Sequence, residues 1–173
     1  MKEKFKWKYA VFAVLSFLLL IVFDQWTKSL AVAHLMNKEP FIIIKDVFQL
    51  RYLENRGAAF GMMQGQQTFF LITGIIAVCV LAYVYFKLPW TKRFVPLRGV
   101  ALFIASGAVG NMIDRVALGY VVDFFYFELI DFPIFNVADI YVTCATIILA
   151  FLILFYYKDE ELDCLFPKKK EKN

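Results

Sequence analysis

The sequence predicts an α-helical integral membrane protein with four transmembrane helices, a small extracytoplasmic β element and an external loop or short helix. Composition is the first observation, because 61% of the 173 residues are apolar and 20 are phenylalanine, whereas soluble domains have roughly 45–50% apolar residues. Distribution is the second, because the apolar residues gather in four stretches almost free of charge. The low counts of Gly, Pro and Cys (8, 5 and 3) exclude low-complexity, collagen-like and disulfide-scaffold chains.

The four apolar stretches differ in how easily each spans a bilayer. A hydrocarbon core of about 30 Å requires roughly 20 helical residues, which the second and fourth stretches supply unaided. The first must continue through a polar insert from Asp24 to Ser29, and the third can begin near Pro96, a residue tolerated in a first helical turn. We predict one membrane-embedded domain, residues 1–173, with helices at about 9–33, 68–87, 96–114 and 137–157 and external segments at about 34–67 and 115–136.

Basic residues predict the orientation. Of the 19 lysines and arginines, 13 lie at the N-terminus, in the loop between helices two and three, and in the tail, and such residues mark the cytoplasmic side. We therefore expect both termini in the cytoplasm, some attraction to anionic lipid, and no nucleic-acid binding. The acidic run at residues 159–163 is interpreted as a solvated part of the tail. The N-terminus imitates a signal peptide, but the polar insert separates its apolar run from the cleavage-like Ala31-Val32-Ala33, so we expect a retained first helix.

Two external segments have distinct patterns. Residues 41–55 are rich in Ile, Val, Phe and Tyr and partly alternate with polar residues, which indicates a short strand or hairpin at the membrane surface. Residues 121–131 are interpreted as a loop whose aromatic residues lie in the membrane interface. We expect this loop to act partly as a lid over a site at the outer face.

Acidic residues of three helices fall at one depth. Counting 1.5 Å per residue from the basic boundary puts Asp24, Asp114 and Asp139 about 24–28 Å above it, near the outer face. Charges at this depth are costly, and they are usually paired, turned toward the bundle interior, or functional. Asp24 can pair with Lys28 four residues later on the same helix face, and that pair is equally compatible with a structural and a functional role.

Amides accompany the acids at this level. Asn111 and Arg115 are spaced i, i+4, so the two side chains point the same way, and Asn136 and Asp139 are spaced i, i+3 at the start of helix four. Small residues around Gly110 allow another backbone to approach closely, as membrane bundles favour. Asp114 is adjacent to Arg115 and can be read as its counter-ion.

A pair of carboxylates is the catalytic resource with enough candidates. No metal site or cofactor is expected, because His34 is the only histidine and the three cysteines are scattered; Ser106 would have only His34 as a base. Two carboxylates that share one proton can activate water while the protonated partner polarises a carbonyl. The spacing alone does not decide which two carboxylates form the pair; the candidates are Asp24, Asp114, Asp123 and Asp139. It also leaves open the alternative that all four are salt-bridged struts or a proton relay.

Two other functional classes are compatible with a membrane bundle. A small ion- or proton-coupled transporter would also hold acids inside the bundle, but it would spread them through the membrane depth, whereas the interior halves of helices two and four carry none. A purely structural subunit would leave Asn55, Asn111 and Asn136 without a role.

Five sequence blocks carry a resemblance to a known family. In chain order they are DQWTK at residues 24–28, NRGAAFG at 55–61, GAVGNMIDR at 107–115, GYVVDF at 119–124 and FNVAD at 135–139. These blocks resemble the signature blocks of the lipoprotein signal peptidases, the bacterial type II signal peptidases. The resemblance implies an aspartic peptidase in the cytoplasmic membrane that removes the signal peptide of prolipoproteins, cutting just before a lipid-modified cysteine.

The resemblance also implies roles for individual residues. The catalytic pair of the family falls on Asp123 and Asp139, a choice that the spacing left open. Globomycin-type cyclic peptides inhibit this family and are expected to fill the same site, and a monomer in contact with membrane lipid is expected. Support and substrate-orienting positions fall on Asp24, Lys28, Asn55, Gly110, Asn111, Asp114, Arg115 and Asn136.

Overall fold

Four long helices and a three-stranded antiparallel sheet make up the protein. The computed structural model describes residues 2–57, 63 and 65–165, with side chains from Trp7 onward; residues 58–61 of the second block and the tail lysines at 168–172 lie outside the described residues. The elements, in chain order, are α1 Lys2–Leu35, β1 Phe41–Ile44, β2 Phe48–Asn55, α2 Gln67–Lys87, α3 Val95–Leu118, β3 Val121–Phe127, α4 Val137–Phe151, which continues as a π-helix over Leu152–Tyr156, and α5 Asp159–Leu162.

The predicted fold class is confirmed. Among the described residues, four helical spans are long and apolar enough to cross a membrane: Trp7–Leu35, Gln67–Lys87, Lys92–Leu118 and Val137–Tyr156. The polar insert from Asp24 to Ser29 lies within continuous α1. The third helix extends past the predicted end at residue 114 to Leu118, where Gly119 adopts a left-handed conformation with φ 79° and its N–H donates to the Arg115 carbonyl. This is a common helix C-terminal signal.

The sheet confirms one prediction and corrects another. Residues 41–55 form the expected hairpin, in which Phe41 lies opposite Leu50 and Asp46 adopts φ 59° in the turn. The interpretation of residues 121–131 as a loop is wrong, because Val121–Phe127 is strand β3, paired with β2 on one edge. On its other edge, Phe124 and Phe125 donate N–H groups to the Phe135 carbonyl. Most of the segment expected to act as a lid is therefore a strand bonded on both edges, and only a short 3₁₀ turn at Glu128–Ile130 and Asp131 lie outside the sheet. Movement of this segment as a lid stays a prediction.

The bundle has two ends, which we call the upper end, where the sheet lies, and the lower end, where α2 connects to α3. The acidic run at residues 159–163 lies at the lower end. Its interpretation as a solvated part of the tail is corrected by the structure, because one of its residues is ion-paired. Arg93 makes a two-point ion pair with Glu161, with N–O distances of 2.9 and 3.0 Å, and also donates to the Tyr156 carbonyl. This pair lowers the pKa of Glu161 to about 2. The contacts attach α5 to the start of α3.

Helices α3 and α4 approach closely at the upper end through Gly107. A Cβ at this position would lie 2.5 Å from the Ala138 carbonyl oxygen and 2.8 Å from Cγ2 of Val142. Both distances are too short for any side chain, and small residues are what permit such approach in membrane bundles. The glycine therefore fixes the distance between the helices that carry Asn111 and Asp139.

A buried ion triad connects α1, α3, β3 and α4. The Lys28 ammonium lies 2.9 Å from Oδ2 of Asp24 and 3.0 Å from Oδ2 of Asp114, and all three side chains are at most 3% exposed. Gln25 donates to Oδ1 of Asp114 at 2.8 Å and to the Gly110 carbonyl at 3.1 Å. Asp114 is therefore the counter-ion of Lys28, and the expected pairing with Arg115 is absent among the described contacts.

Both carboxylates of the triad also bind backbone groups of other elements. Oδ1 of Asp24 accepts the Ala138 N–H at 2.9 Å, in the first turn of α4, where backbone N–H groups have no partner within the helix. Oδ2 of Asp114 accepts the Val122 N–H of β3 at 3.1 Å. A Cβ on Gly110 would lie 2.5 Å from Oδ2 of Asp24, so this position also requires glycine. The triad thus sets where β3 and α4 begin.

We expect Gly107→Ala to destabilise the protein by about 1–3 kcal/mol, because the added methyl overpacks the α3–α4 contact. Thermal unfolding in detergent should show a lower Tm. Gly99→Ala in the same helix is the control, since a Cβ there meets nothing within 4 Å, and it should be neutral or slightly stabilising. Equal Tm values for the two variants would contradict the close-approach argument.

Replacing Lys28 by Met should cost about 3–5 kcal/mol, because two buried carboxylates are left facing each other without a cation. The expected result is poor accumulation in the membrane or a strongly reduced Tm. Lys45→Met removes the same charge from an exposed turn and should change stability by about 0.5 kcal/mol or less. A Lys28→Met protein as stable as the wild type would show that the triad does not hold the elements together.

Candidate active site

Asp123 is a buried carboxylate on β3. Only 1% of the surface of this residue is exposed. Asn55, at the end of β2, donates its amide N–H to Oδ2 at 2.8 Å, and Asn136 donates to Oδ1 at 2.7 Å. Pairing of β2 with β3 places Asn55 opposite Val121, so the sheet brings this amide to the carboxylate. Each carboxylate oxygen therefore has one amide donor.

Asp139 lies in the first turn of α4 and belongs to a capping box. The Asp139 N–H donates to Oδ1 of Asn136 at 3.0 Å, and the Asn136 N–H donates to Oδ2 of Asp139 at 3.1 Å. This reciprocal arrangement is a known way to begin a helix, and it explains the i, i+3 spacing seen in the sequence. Asn111 of α3 donates to Oδ1 of Asp139 at 2.8 Å.

Asn136 connects the two aspartates. Its side chain is completely buried, and its amide nitrogen donates to both Asp123 and Oδ1 of Asn111, the latter at 3.0 Å. Its carbonyl oxygen is occupied by the helix cap. Because the amide is fully engaged, its orientation is determined by the contacts, and the two carboxylates are held around a single side chain.

Asn111 connects this pair to the ion triad. Its Oδ1 accepts from the Lys28 ammonium at 2.9 Å and from Asn136, while its Nδ2 donates to Asp139. The cation requires the oxygen on its own side, so the N–H group must face Asp139. The sequence predicted that Asn111 and Asp139 lie at a similar depth, and in the structure their side chains are hydrogen-bonded to each other.

The pKa of Asp123 is raised to about 7, and burial is the main cause; the neighbouring charge of Asp139 acts in the same direction, and the bonds from Asn55 and Asn136 oppose it. The first cause is loss of water around the carboxylate, which disfavours the ionised form. A carboxyl group with this pKa keeps a proton over part of the neutral range. Buried carboxyl groups perturbed in this way are characteristic of acid–base chemistry.

A cavity of about 450 Å³ opens next to both aspartates. Its polar lining residues include Asp123, Asp139, Asn55, Asn111 and Arg115, and most of its other lining residues are apolar. The volume lies within the range of about 300–1,000 Å³ typical of ligand sites. The cavity therefore gives a ligand access to both carboxylates at once.

Arg115 lines this cavity, and not all N–H groups of its guanidinium have a hydrogen-bond partner among the described residues. Its guanidinium donates to the carbonyls of Asn111 and Gly57, each at 3.3 Å, and lies 4.8 Å from the centre of the Phe70 ring. Nε has no hydrogen-bond partner in the described part of the chain. Arg115 can therefore bind a further carbonyl or anionic group in the cavity.

Serine chemistry is not favoured by the geometry. Ser106 is completely buried, and its hydroxyl donates to the Leu102 carbonyl of its own helix at 2.8 Å. His34 is exposed in the last turn of α1. Among the described residues, no group of three or more His, Cys, Asp or Glu is arranged to hold a metal ion.

Sequence reasoning missed three residues around the site. Gln25 braces the triad, and its position between Asp24 and Lys28 in an apolar helix was a usable signal. The Gly57 carbonyl accepts from Arg115, and Phe70 packs against the same guanidinium. Nothing in the local sequence distinguishes Phe70 from the other 19 phenylalanines, so only the packing of α2 on α3 could reveal it.

Comparison with known proteins gives a consistent result. The family model for signal peptidase (SPase) II matches residues 16–155. The chain is 44% identical over 136 residues to a lipoprotein signal peptidase of Caldanaerobacter subterraneus subsp. tengcongensis, which covers 78% of this chain and 90% of the relative. It is 42% identical over 143 residues to a lipoprotein signal peptidase of Clostridioides difficile, covering 83% and 95% of the two chains.

Solved structures show the same fold. A bacterial membrane enzyme structure determined by the in meso method at 2.3 Å resolution superposes with a TM-score of 0.68 and 31% identity over 93% of each chain. A second bacterial membrane enzyme structure, at 1.9 Å resolution, gives a TM-score of 0.71 and 31% identity, covering 84% of this chain and 94% of the other. With most of its length matched by the family model and by relatives above 40% identity, the chain belongs to the signal peptidase II family, a family of multi-pass membrane peptidases.

Proposed function

We propose that this peptidase is an aspartic endopeptidase that removes the signal peptide from diacylglyceryl-modified prolipoproteins, cutting just N-terminal to the lipidated cysteine. The supporting observation is that Asp123 and Asp139, held by the same asparagine, both line one cavity. The names of the relatives support the lipoprotein substrate. The chemistry requires no cofactor, because the reacting groups are side chains and water.

The two carboxylates share one proton in the resting site, because two buried like charges close together are not both ionised. The ionised carboxylate takes a proton from a water molecule, whose oxygen attacks the scissile carbonyl carbon. The protonated carboxyl donates a hydrogen bond to the carbonyl oxygen and transfers its proton as the tetrahedral intermediate forms. The C–N bond then breaks as the leaving amine accepts a proton from one carboxyl group of the dyad, while a hydroxyl group of the intermediate returns its proton to the other carboxylate, which gives the carboxyl product and restores the shared proton.

Neighbouring polar groups support this chemistry. Arg115, with its incomplete bonding, and Asn55 are suitably located to hold the substrate backbone along the cavity. Asn111 and Asn136 fix the two carboxylates, so little reorganisation is required in the transition state. Asp24, Lys28, Asp114 and Gly110 act through structure, by holding β3 and α4 in place. Cyclic peptides of the globomycin type are expected to bind in the same cavity.

The membrane orientation is part of the proposal. The positive-inside distribution supports both termini in the cytoplasm, which directs the upper end, with its sheet and cavity, to the extracytoplasmic face. A lipidated cysteine has its acyl chains in the outer leaflet, so its peptide bond is accessible at this margin. The enzyme acts as a monomer surrounded by membrane lipid, because one chain supplies both aspartates.

We expect Asp123→Asn and Asp139→Asn each to lower kcat about 10²–10⁴-fold, because each removes one member of the acid–base pair. The assay is cleavage of a diacylglyceryl-modified peptide by purified protein, with Tm measured to verify folding. Asp46→Asn is the control, since Asp46 lies in an exposed turn where Asn also tolerates the positive φ. Cleavage that survives in both dyad variants would refute the catalytic assignment.

The pH dependence of kcat/KM tests the shared proton. Activity should fall as the pH rises through about 7, the raised pKa of Asp123, because the pair then loses its remaining proton. Asn55 donates to the ionised form of Asp123 and so lowers its pKa; Asn55→Leu should therefore move the alkaline limb to higher pH. An alkaline limb that stays in place in this variant would contradict the assignment of that limb to Asp123.

A further inference from the structure

The cavity does not end at the two aspartates. A second groove of about 430 Å³ lies between α2, α3 and α4 and shares five lining residues with the first: Phe70, Asn111, Arg115, Asp139 and Thr143. The space around Asp139 therefore has two arms. We call them the outer arm, lined by Phe132, Pro133, Ile134, Ile140 and Cys144, and the inner arm, lined by Thr73, Gly74, Ala77, Ala108, Met112 and Val142.

The inner arm descends between membrane-spanning helices. From Arg115 to Ala108 it follows α3 for seven residues, or about 10 Å below the upper end. Its walls have small side chains at Ala77 and Ala108, which allow another backbone to approach closely; Gly74 accommodates the Met112 side chain, whose sulfur would lie 2.7 Å from a Cβ at that position. None of the residues of α2, over its whole described length, is buried, so this wall of the arm faces the bilayer on its other side. Such a groove suits a peptide in helical or extended form.

The outer arm has a different character. It lies between the connection before α4 and the outward face of α4, and none of its five residues carries a charge. Phe132 is 45% exposed and Ile140 is 38% exposed. The same face continues along α4 through the exposed side chains of Ile147, Ile148 and Phe151. The arm therefore opens onto an apolar ridge that is in contact with lipid chains in a membrane.

We propose that the outer arm binds the diacylglyceryl group of the substrate and that the inner arm binds the peptide preceding the cut. This inference rests on the proposed function. A lipidated cysteine follows the scissile bond directly, so lipid and signal peptide must leave the dyad in two directions. An uncharged arm that opens onto a lipid-facing ridge fits acyl chains, because apolar area is the only feature they offer for recognition. An arm with small side chains between helices fits a peptide backbone.

Cysteine chemistry gives a direct test, because Cys144 lies in the outer arm. Three single-cysteine proteins are compared in the Asp139→Asn background: one that keeps Cys144, one with Thr73→Cys in the inner arm, and one that keeps Cys79. The last is exposed on α2 and belongs to neither arm. Each is labelled with a benzophenone maleimide, mixed with a diacylglyceryl-modified signal peptide and irradiated, and the cross-linked site is mapped by mass spectrometry.

We expect position 144 to cross-link to the glyceryl or acyl part, position 73 to the residues preceding the cut, and Cys79 to neither. Reversed products, peptide products from both positions, or no product from 144 would each overturn the proposal. Cross-linking requires binding and no cleavage, so its outcome is independent of the dyad assignment. Failure of the wild type to cleave the lipidated peptide would instead refute the proposed function.

Kinetics provide a second readout. Cys144→Phe should fill the outer arm and raise KM for the lipidated peptide about tenfold, with kcat little changed, because the dyad and its asparagines are untouched. Cys79→Phe adds the same ring outside both arms and should leave KM unchanged. An equal KM for the two variants, with both proteins folded, would contradict lipid binding in the outer arm.

Discussion

The buried ammonium of Lys28 is the interaction on which the rest of the structure depends. In a membrane margin an unpaired charge is very costly, so this cation must be surrounded by the two carboxylates and the amide oxygen that it contacts. Each of these carboxylates also accepts a backbone N–H, one from α4 and one from β3. Satisfying one charge therefore fixes α1, α3, β3 and α4 in a single mutual register.

The same cation reaches the candidate dyad through two amides. Because Lys28 engages Oδ1 of Asn111, the N–H group of that amide must face Asp139, and Asn136 completes the chain to Asp123. The buried charge of Lys28 therefore orients the Asn111 amide toward Asp139, whereas the Asn55 amide that donates to Asp123 is held by the Gly57 N–H. Preorganised donors of this kind require little movement during reaction, which links the structural triad to the chemistry proposed for the dyad.

The sequence predicted the helices and the hairpin because their signals are local. Long apolar runs and alternation over a few residues depend only on near neighbours. Strand β3 was missed because its partners, β2 and Phe135, are supplied by the fold, and a short aromatic run has the same composition in a loop or a strand. The role of Glu161 was missed for a similar reason, since its partner Arg93 lies 68 residues earlier in the chain, before α3 and α4.

The sequence by itself determined that the chain spans the membrane four times, that its acids and amides gather at one depth, and, through the resemblance, its family. These follow from hydropathy, from 1.5 Å of rise per residue, and from five ordered blocks. Tertiary structure alone decided which charges pair. Asp114 is adjacent to Arg115 in sequence, but the fold pairs it with Lys28 at 3.0 Å, because in this arrangement one cation lies between two buried carboxylates while Asp114 also accepts the N–H of Val122.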